Sequence, residues 1–214
     1  MSIDLIYIIE ILPALLKAML VTLRIAISGY LLAFVLGLLI AMIRVSGNVF
    51  LSRLLLMFTE FIRLTPILVQ LFFFYYVLPE VGIKLPAEPT GIIVLGLHYS
   101  TFTAEVFRSG ILAIPKGQWE VSNTLCLPFY IKWFKIILPQ SIKPMIPALG
   151  NYLIQLFKEV PLLSTITVYE LLNTANLIAG ETFRYFEVLS IVAILFFLIS
   201  YPSAIFFRNL ESKN

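Results

Sequence analysis

The sequence has one cysteine, Cys126, and one histidine, His98. A single thiol excludes an intrachain disulfide framework, and a single imidazole excludes a His-rich metal site. Charge is also scarce: 13% of the 214 residues are Asp, Glu, Lys or Arg, against about a quarter in ordinary soluble domains. No G-x-x-x-x-G-K-[ST] run occurs, so the chain is not its own P-loop ATPase. Its net charge of +3 is spread along the chain rather than gathered into a basic stripe, which argues against a nucleic-acid partner. There is no internal repeat, low-complexity tract or soluble domain. Apolar residues are abundant, at 60% of the chain with a mean hydropathy of +0.99. One small core could not hide that much apolar surface, so the composition reads as an all-α integral membrane protein.

Residues 1–17, MSIDLIYIIEILPALLK, carry Asp4 and Glu10 and lack a basic n-region and a small-residue cleavage site. They read as an amphipathic lead-in, not a signal peptide. Residues 18–214 then form a transmembrane domain. Its five apolar runs, about 18–43, 54–78, 91–112, 145–166 and 188–207, are each long enough to cross a hydrocarbon layer of roughly 30 Å. The first needs a tilt, and the fourth, with Pro144, Pro147 and Pro161, is the least regular.

The flanking charges set the orientation. Arg44, Arg53, Lys116, Lys132, Lys135, Lys143, Arg208 and Lys213 fall on one side; Lys17, Lys84 and Arg184 fall on the other with most of the acids. This bias predicts an outside N-terminus, a cytoplasmic C-terminus and a cytoplasmic loop over about 113–144.

Arg24, Arg63, Arg108, Lys158, Glu60, Glu105 and Glu159 remain inside the apolar runs, where unpaired charge costs a few kcal/mol. Helical spacing aligns His98, Thr101, Glu105 and Arg108 in one stripe, Glu60, Arg63 and Gln70 in a second, and Asn151, Gln155 and Lys158 in a third. Three such stripes can face a wet or protein-lined centre. The plainer alternative is that Glu60 with Arg63, and Glu105 with Arg108, only neutralise each other as i, i+3 pairs. By depth, Glu60, Arg63, Glu105 and Arg108 belong to an inner gate; Gln70, Asn151, Gln155, Lys158 and Glu159 belong to a translocation pathway that meets substrate. Pro66 frees the carbonyl of Ile62, which predicts a kink or a carbonyl-lined cavity. The last run has no charge and reads as lipid-facing.

The cytoplasmic loop is too patterned for a linker. Lys116-Gly117 is expected to break the preceding helix, Gln118–Leu127 to form a short helix ended by Pro128, and Phe129–Leu138 a second one stopped by Pro139. Trp119, Leu125, Leu127, Phe129, Trp133 and Phe134 make this protrusion more apolar than water requires, as for a knob in a partner's groove or one packed under the bundle.

Within the loop Glu120, Cys126, Ile136, Leu138 and Pro139 stand at the spacing E-A-A-x3-G-x9-I-x-L-P, with Val121 and Ser122 for the two alanines and Cys126 for the glycine. In this the chain resembles the permeases of bacterial ABC importers. FIRLTPILVQLFFFYYVLP, AEVFRSGILAIPKGQWE and ILPQSIKPMIPALGNYLIQLFK are similar to the polar amino acid permeases of that group (the histidine, glutamine, arginine and glutamate type). The resemblance covers about residues 60–172. It implies a non-enzymatic permease subunit in the cell (inner) membrane, paired with a second permease chain, identical or paralogous. Its other partners would be a cytoplasmic ABC ATPase dimer, which holds ATP and Mg, and an extracytoplasmic amino-acid-binding protein. No cofactor is expected in this chain. The resemblance also implies that Gly117, Gln118, Trp119, Glu120, Cys126, Leu138 and Pro139 belong to the coupling element. Where such permeases read K-D-T-S-L, this chain has Lys158, Glu159, Val160, Pro161 and Leu162.

A secondary transporter driven by an ion gradient would also use intramembrane charge, but it usually carries inverted repeats, and none is found. A membrane enzyme would need a nucleophile and base or a metal cluster; the one His and the one Cys lie in different segments.

Overall fold

The computed structural model describes residues 5–211, and among them every regular element is helical. Residues 1–4 and 212–214, with the flanking charges Asp4 and Lys213, lie outside the described residues. Helix α1 runs unbroken through Leu5–Val45, so residues 5–17 and the first apolar run are one helix, and Ile11 and Leu15 of the expected lead-in are buried. At 1.5 Å per residue its length is about 60 Å, twice the hydrocarbon thickness of a bilayer. Helix α2 (Val49–Leu64) starts at Asn48, whose side chain accepts from the Leu51 amide. Helix α3 (Ile67–Phe72) continues through a π-helical turn at Phe73–Val77 and a 3-10 turn at Leu78–Val81.

The run expected at 54–78 is therefore not one straight helix. It bends by 100° at Thr65-Pro66. Proline disfavours α conformation in the residue before it, and Thr65 is extended (φ −91°, ψ 136°). Helix α4 (Ala87–Leu112) leads through Ala113–Pro115 into the short α5 (Lys116–Thr124). Lys116 and Gly117 are thus the first residues of α5 rather than a break; the break lies just before, with Pro115 at the N-cap. A π-helical stretch, Ile131–Ile137, passes directly into α6 (Leu138–Glu159). Pro139 does not stop this helix, because it stands in the first turn, where its missing N–H costs little. A 3-10 turn at Val160–Ile166, α7 (Leu171–Thr182) and α8 (Tyr185–Glu211) complete the chain.

Among the described residues two helices, α1 and α8, are long and apolar enough to cross a membrane individually, and the bent pair α2–α3 counts as a third only if taken as one span. The polar stripes of α4 and α6 make those two helices less apolar than α1 and α8.

The central contact is between α1 and α4, which run parallel. Arg24 pairs with Glu88 at 2.7 Å towards one end, and Arg44 pairs with Glu105 at the other. Between the pairs, small residues line both helices: Gly29, Ala33 and Gly37 on α1, and Gly96, Ser100 and Ala104 on α4. The backbones come so close that a Cβ on Gly37 would lie 2.1 Å from Thr103 Oγ1 and 2.9 Å from the Ala104 amide nitrogen. Thr103 Oγ1 uses this proximity to donate to the Ala33 carbonyl at 2.8 Å. Helix α6 runs antiparallel to α4, with Gly110 against Met145 on α6 and Gly91 against Leu163 in the 3-10 turn that follows it. In turn α8 runs antiparallel to α6, with Phe157 on Phe196 and Gly150 on Phe207. The outward part of α8 carries exposed Ile194, Phe197 and Leu198, as a lipid-facing helix would.

Close packing at Gly37 makes a direct expectation. Gly37→Ala should destabilise detergent-solubilised protein by about 1–3 kcal/mol, the usual cost of overpacking, and Gly37→Leu should remove the folded fraction from size-exclusion profiles. Gly117→Ala is the control, since nothing lies within 4 Å of a Cβ there.

Candidate functional site

The structure gathers the four expected inner residues and adds a fifth. Glu60 and Arg63 form their i, i+3 pair at 3.3 Å, and Glu105 and Arg108 form theirs at 2.8 Å. The pairs are not separate. Arg63 lies 3.9 Å from Glu105, and Arg44 donates from Nη1 to the same carboxylate. Glu105 is the hub, with three guanidiniums around it from α1, α2 and α4. Arg63 also donates to the Thr101 carbonyl at 2.9 Å and lies 5.3 Å from the centre of the Phe102 ring.

The charge asymmetry had assigned Arg44 to the flanking solvent. Instead it is the most buried member, with 9% of its side chain exposed against 34% for Arg108. The available signal was the absence of any breaker before Ser46, which carries α1 to Arg44.

The expected pathway residues divide into two places. Gln70 is buried on α3, where its amide donates to the Ile62 carbonyl (2.7 Å), the Thr65 carbonyl (3.0 Å) and Thr65 Oγ1 (2.8 Å), and reaches His98 Nδ1 (3.2 Å). It braces the bend at Pro66. Asn151, Gln155 and Lys158 share the exposed face of α6, and among the described residues none of them has a hydrogen-bonding partner. Lys158 borders a groove of about 420 Å³ with Pro161, Val192, Phe196 and Ser200, and Asn151 borders another of about 310 Å³ with Tyr201 and Arg208. Glu159 points the other way: it is half-buried beside Tyr99 of α4, with one carboxylate oxygen buried and unpartnered.

In the loop, Gln118, Trp119 and Glu120 lie on α5; Gln118 and Glu120 are exposed, while Leu138 is buried at the start of α6. Trp133 is buried under the bundle, Trp119 meets it edge-on at 5.4 Å, and Lys132 ties the two arms through Asn123 at 2.9 Å. Leu125, Phe129 and Phe134 remain exposed. The apolar residues thus divide between a buried anchor and a free tip.

Cys126 has φ 48°, the left-handed region. Its amide donates to Asn123 O at 2.9 Å and the Leu127 amide to Ser122 O at 3.1 Å, the paired bonds of a Schellman helix end. Glycine suits that position because it has no Cβ, which is the physical reason for a glycine at this place in the loop pattern.

Residues 33–214 match the family described as the inner membrane component of binding-protein-dependent transport systems. The chain belongs to that family, and its relatives there are amino-acid permeases. It is 42% identical over 208 residues to a probable amino-acid ABC transporter permease of Sinorhizobium fredii, covering 97% of this chain and 90% of the relative. It is 33% identical to a putative glutamine transport system permease of Rickettsia typhi, covering 97% of both. A solved amino acid ABC transporter with histidines matches over the whole of both chains at TM-score 0.87 and 30% identity. The methionine transporter MetNI, at 19% identity and TM-score 0.74, shares the fold. Permeases of this family are not themselves enzymes.

Two expectations follow. Arg44→Ala should reduce the yield of folded protein more than Arg108→Ala, because it strips a charge partner from the more buried side of Glu105; fluorescence-detected size exclusion reads the order. Cys126→Gly should raise the thermal midpoint, by up to about 1 kcal/mol in stability, since it relieves the left-handed strain, and Cys126→Val should lower it.

Proposed function

We propose that the chain is the permease subunit of an ATP-driven importer that carries a polar amino acid across the cytoplasmic membrane into the cell. The supporting observation is the face of α6. Asn151, Gln155 and Lys158 stand exposed and unpartnered on a helix packed among apolar neighbours, and hydrocarbon is a costly environment for such groups. A second permease chain and a water-filled pathway would give that face polar company. Substrate passing there would meet two carboxamides and an ammonium, with the Glu159 side chain on the opposite side of the helix.

On this reading the chain crosses the membrane five times, by α1, the bent α2–α3, α4, α6 and α8. Their parallel and antiparallel packing suits alternate crossings, and the charge bias suits N-terminus out and C-terminus in. Helix α5, with exposed Leu125 and Phe129 just beyond its end, then presents to a cytoplasmic ATPase dimer, which binds ATP and Mg, while the acidic outer loops face a binding protein. The names of the relatives support an amino acid as cargo. An ion-gradient mechanism has no observation in its favour.

Topology has a natural probe, since Cys126 is exposed. An impermeant maleimide should leave it unlabelled in intact cells and label it in inside-out vesicles. In a Cys126→Gly background, Ile83→Cys, at an exposed outer position, should label in intact cells; the reverse pattern overturns the orientation. For transport, the chain reconstituted with its ATPase and binding protein should show ATP hydrolysis stimulated by one of a panel of polar L-amino acids, glutamine included. Gln155→Ala should assemble normally and shift the half-stimulating concentration. Absence of stimulation by every member would reject a polar amino acid as cargo.

A further inference from the structure

The bend at Thr65-Pro66 leaves carbonyls at the end of α2 without helical partners. Thr65 Oγ1 donates within reach of the Phe61 and Ile62 carbonyls, at 3.1 Å each. The Gln70 amide adds to this: its two hydrogens have four acceptors within 2.7–3.2 Å, namely Ile62 O, Thr65 O, Thr65 Oγ1 and His98 Nδ1. An NH2 group only donates, so the 3.2 Å contact is a hydrogen bond in the tautomer that leaves His98 Nδ1 free to accept. The arrangement is enclosed, with Gln70 8% and His98 9% exposed. Gln70 Oε1 is buried with no partner. The carboxamide is therefore oriented by its nitrogen alone, between the carbonyls of α2 on one side and an imidazole of α4 on the other.

We propose that Gln70 and His98 are a positioning pair: His98 on α4 holds the Gln70 carboxamide against the end of α2, which fixes the angle of the α2–α3 elbow and makes it follow α4. Besides this pair, α2–α3 is fastened to α4 by Arg63, which donates to Thr101 O at 2.9 Å, lies 3.9 Å from Glu105 and stands over the Phe102 ring. Because α4 leads through only Ala113–Pro115 into α5, a displacement that begins at α5 reaches the elbow through His98. The consequence for transport rests on the importer reading above; the elbow geometry does not.

Hinge-positioning residues commonly move turnover and half-saturation together. The decisive variants are His98→Leu, which removes the acceptor, Gln70→Met, which removes the donor at similar shape, and His98→Asn, whose Oδ1 replaces Nδ1 as acceptor. Spin labels on Phe50→Cys and Val69→Cys, exposed sites on either side of the elbow, are placed in a Cys126→Gly background and read by double electron–electron resonance in the vesicle-reconstituted complex. His98→Asn should keep the narrow wild-type distance distribution, and His98→Leu and Gln70→Met should broaden it. Per assembled complex, the latter two should also lose about tenfold in ATP hydrolysis stimulated by L-glutamine-loaded binding protein, and His98→Asn should stay near wild type. Wild-type distances in His98→Leu, or broadening in His98→Asn equal to that in His98→Leu, would overturn the proposal. So would lower yield with unchanged distances and unchanged turnover per complex, the mark of a merely structural pair. If wild type shows no stimulation by any amino acid, the importer reading fails while the distance measurements still decide the elbow.

Discussion

The structure hangs on the contact between α1 and α4. In a bilayer, lipid tails are as apolar as leucine, so helices associate through close van der Waals packing and interhelical hydrogen bonds rather than through exclusion of water. The glycine and alanine row of α1 meets the small residues of α4, and the Thr103 hydroxyl reaches across to the Ala33 carbonyl at 2.8 Å. A methyl group at Gly37 has no room. Once these two helices are fixed in parallel register, Arg44 falls beside Glu105, α6 lies down the other side of α4, and the bent α2–α3 segment crosses near Thr101 and His98.

Charge is arranged around that contact with little redundancy. Glu105 serves three arginines from three helices, and Arg63 has a second acid in Glu60 as well as a backbone carbonyl. Distributing a carboxylate in this way keeps every guanidinium near a counter-charge while few acids enter the apolar layer. The α6 face is organised on the opposite principle, with donors and acceptors left open. Groups satisfied inside the chain hold it together, whereas groups left unsatisfied are available to something outside it.

The all-helical class, the polar stripes of α4 and α6 and both intrahelical ion pairs were readable from spacing, because a 3.6-residue period is set by backbone geometry; the remaining stripe, Glu60 with Arg63 and Gln70, is split by the bend at Pro66. Pro66 was also legible as a break, since a missing N–H is a local fact. The size of the bend was not, because it depends on Gln70 and His98, which are 28 residues apart in sequence. Gln70 looked like a pathway residue for the same reason: periodicity places it on a face, but only the fold shows that the face is filled by carbonyls. Arg44 was misjudged because a charge at the end of an apolar run usually snorkels to water, and here Glu105 was closer. Pro139 was misread as a stop because nothing in the local sequence says that the helix begins just before it.

The continuity of α4 with the α5 hairpin gives the molecule mechanical leverage. A helix of 26 residues is a stiff rod of about 39 Å. Pivoted where α1 grips it near the middle, a rocking of about 5° would carry each end roughly 1.7 Å in opposite senses. The N-terminal end is held at Glu88 by a pair that is largely exposed and easily stretched, and the end nearer α5 at Glu105 by one that is mostly buried. The compliance of the rod's two ends is therefore unequal: a push arriving at the α5 end meets a stiff joint and spends its motion at a soft one at the opposite end.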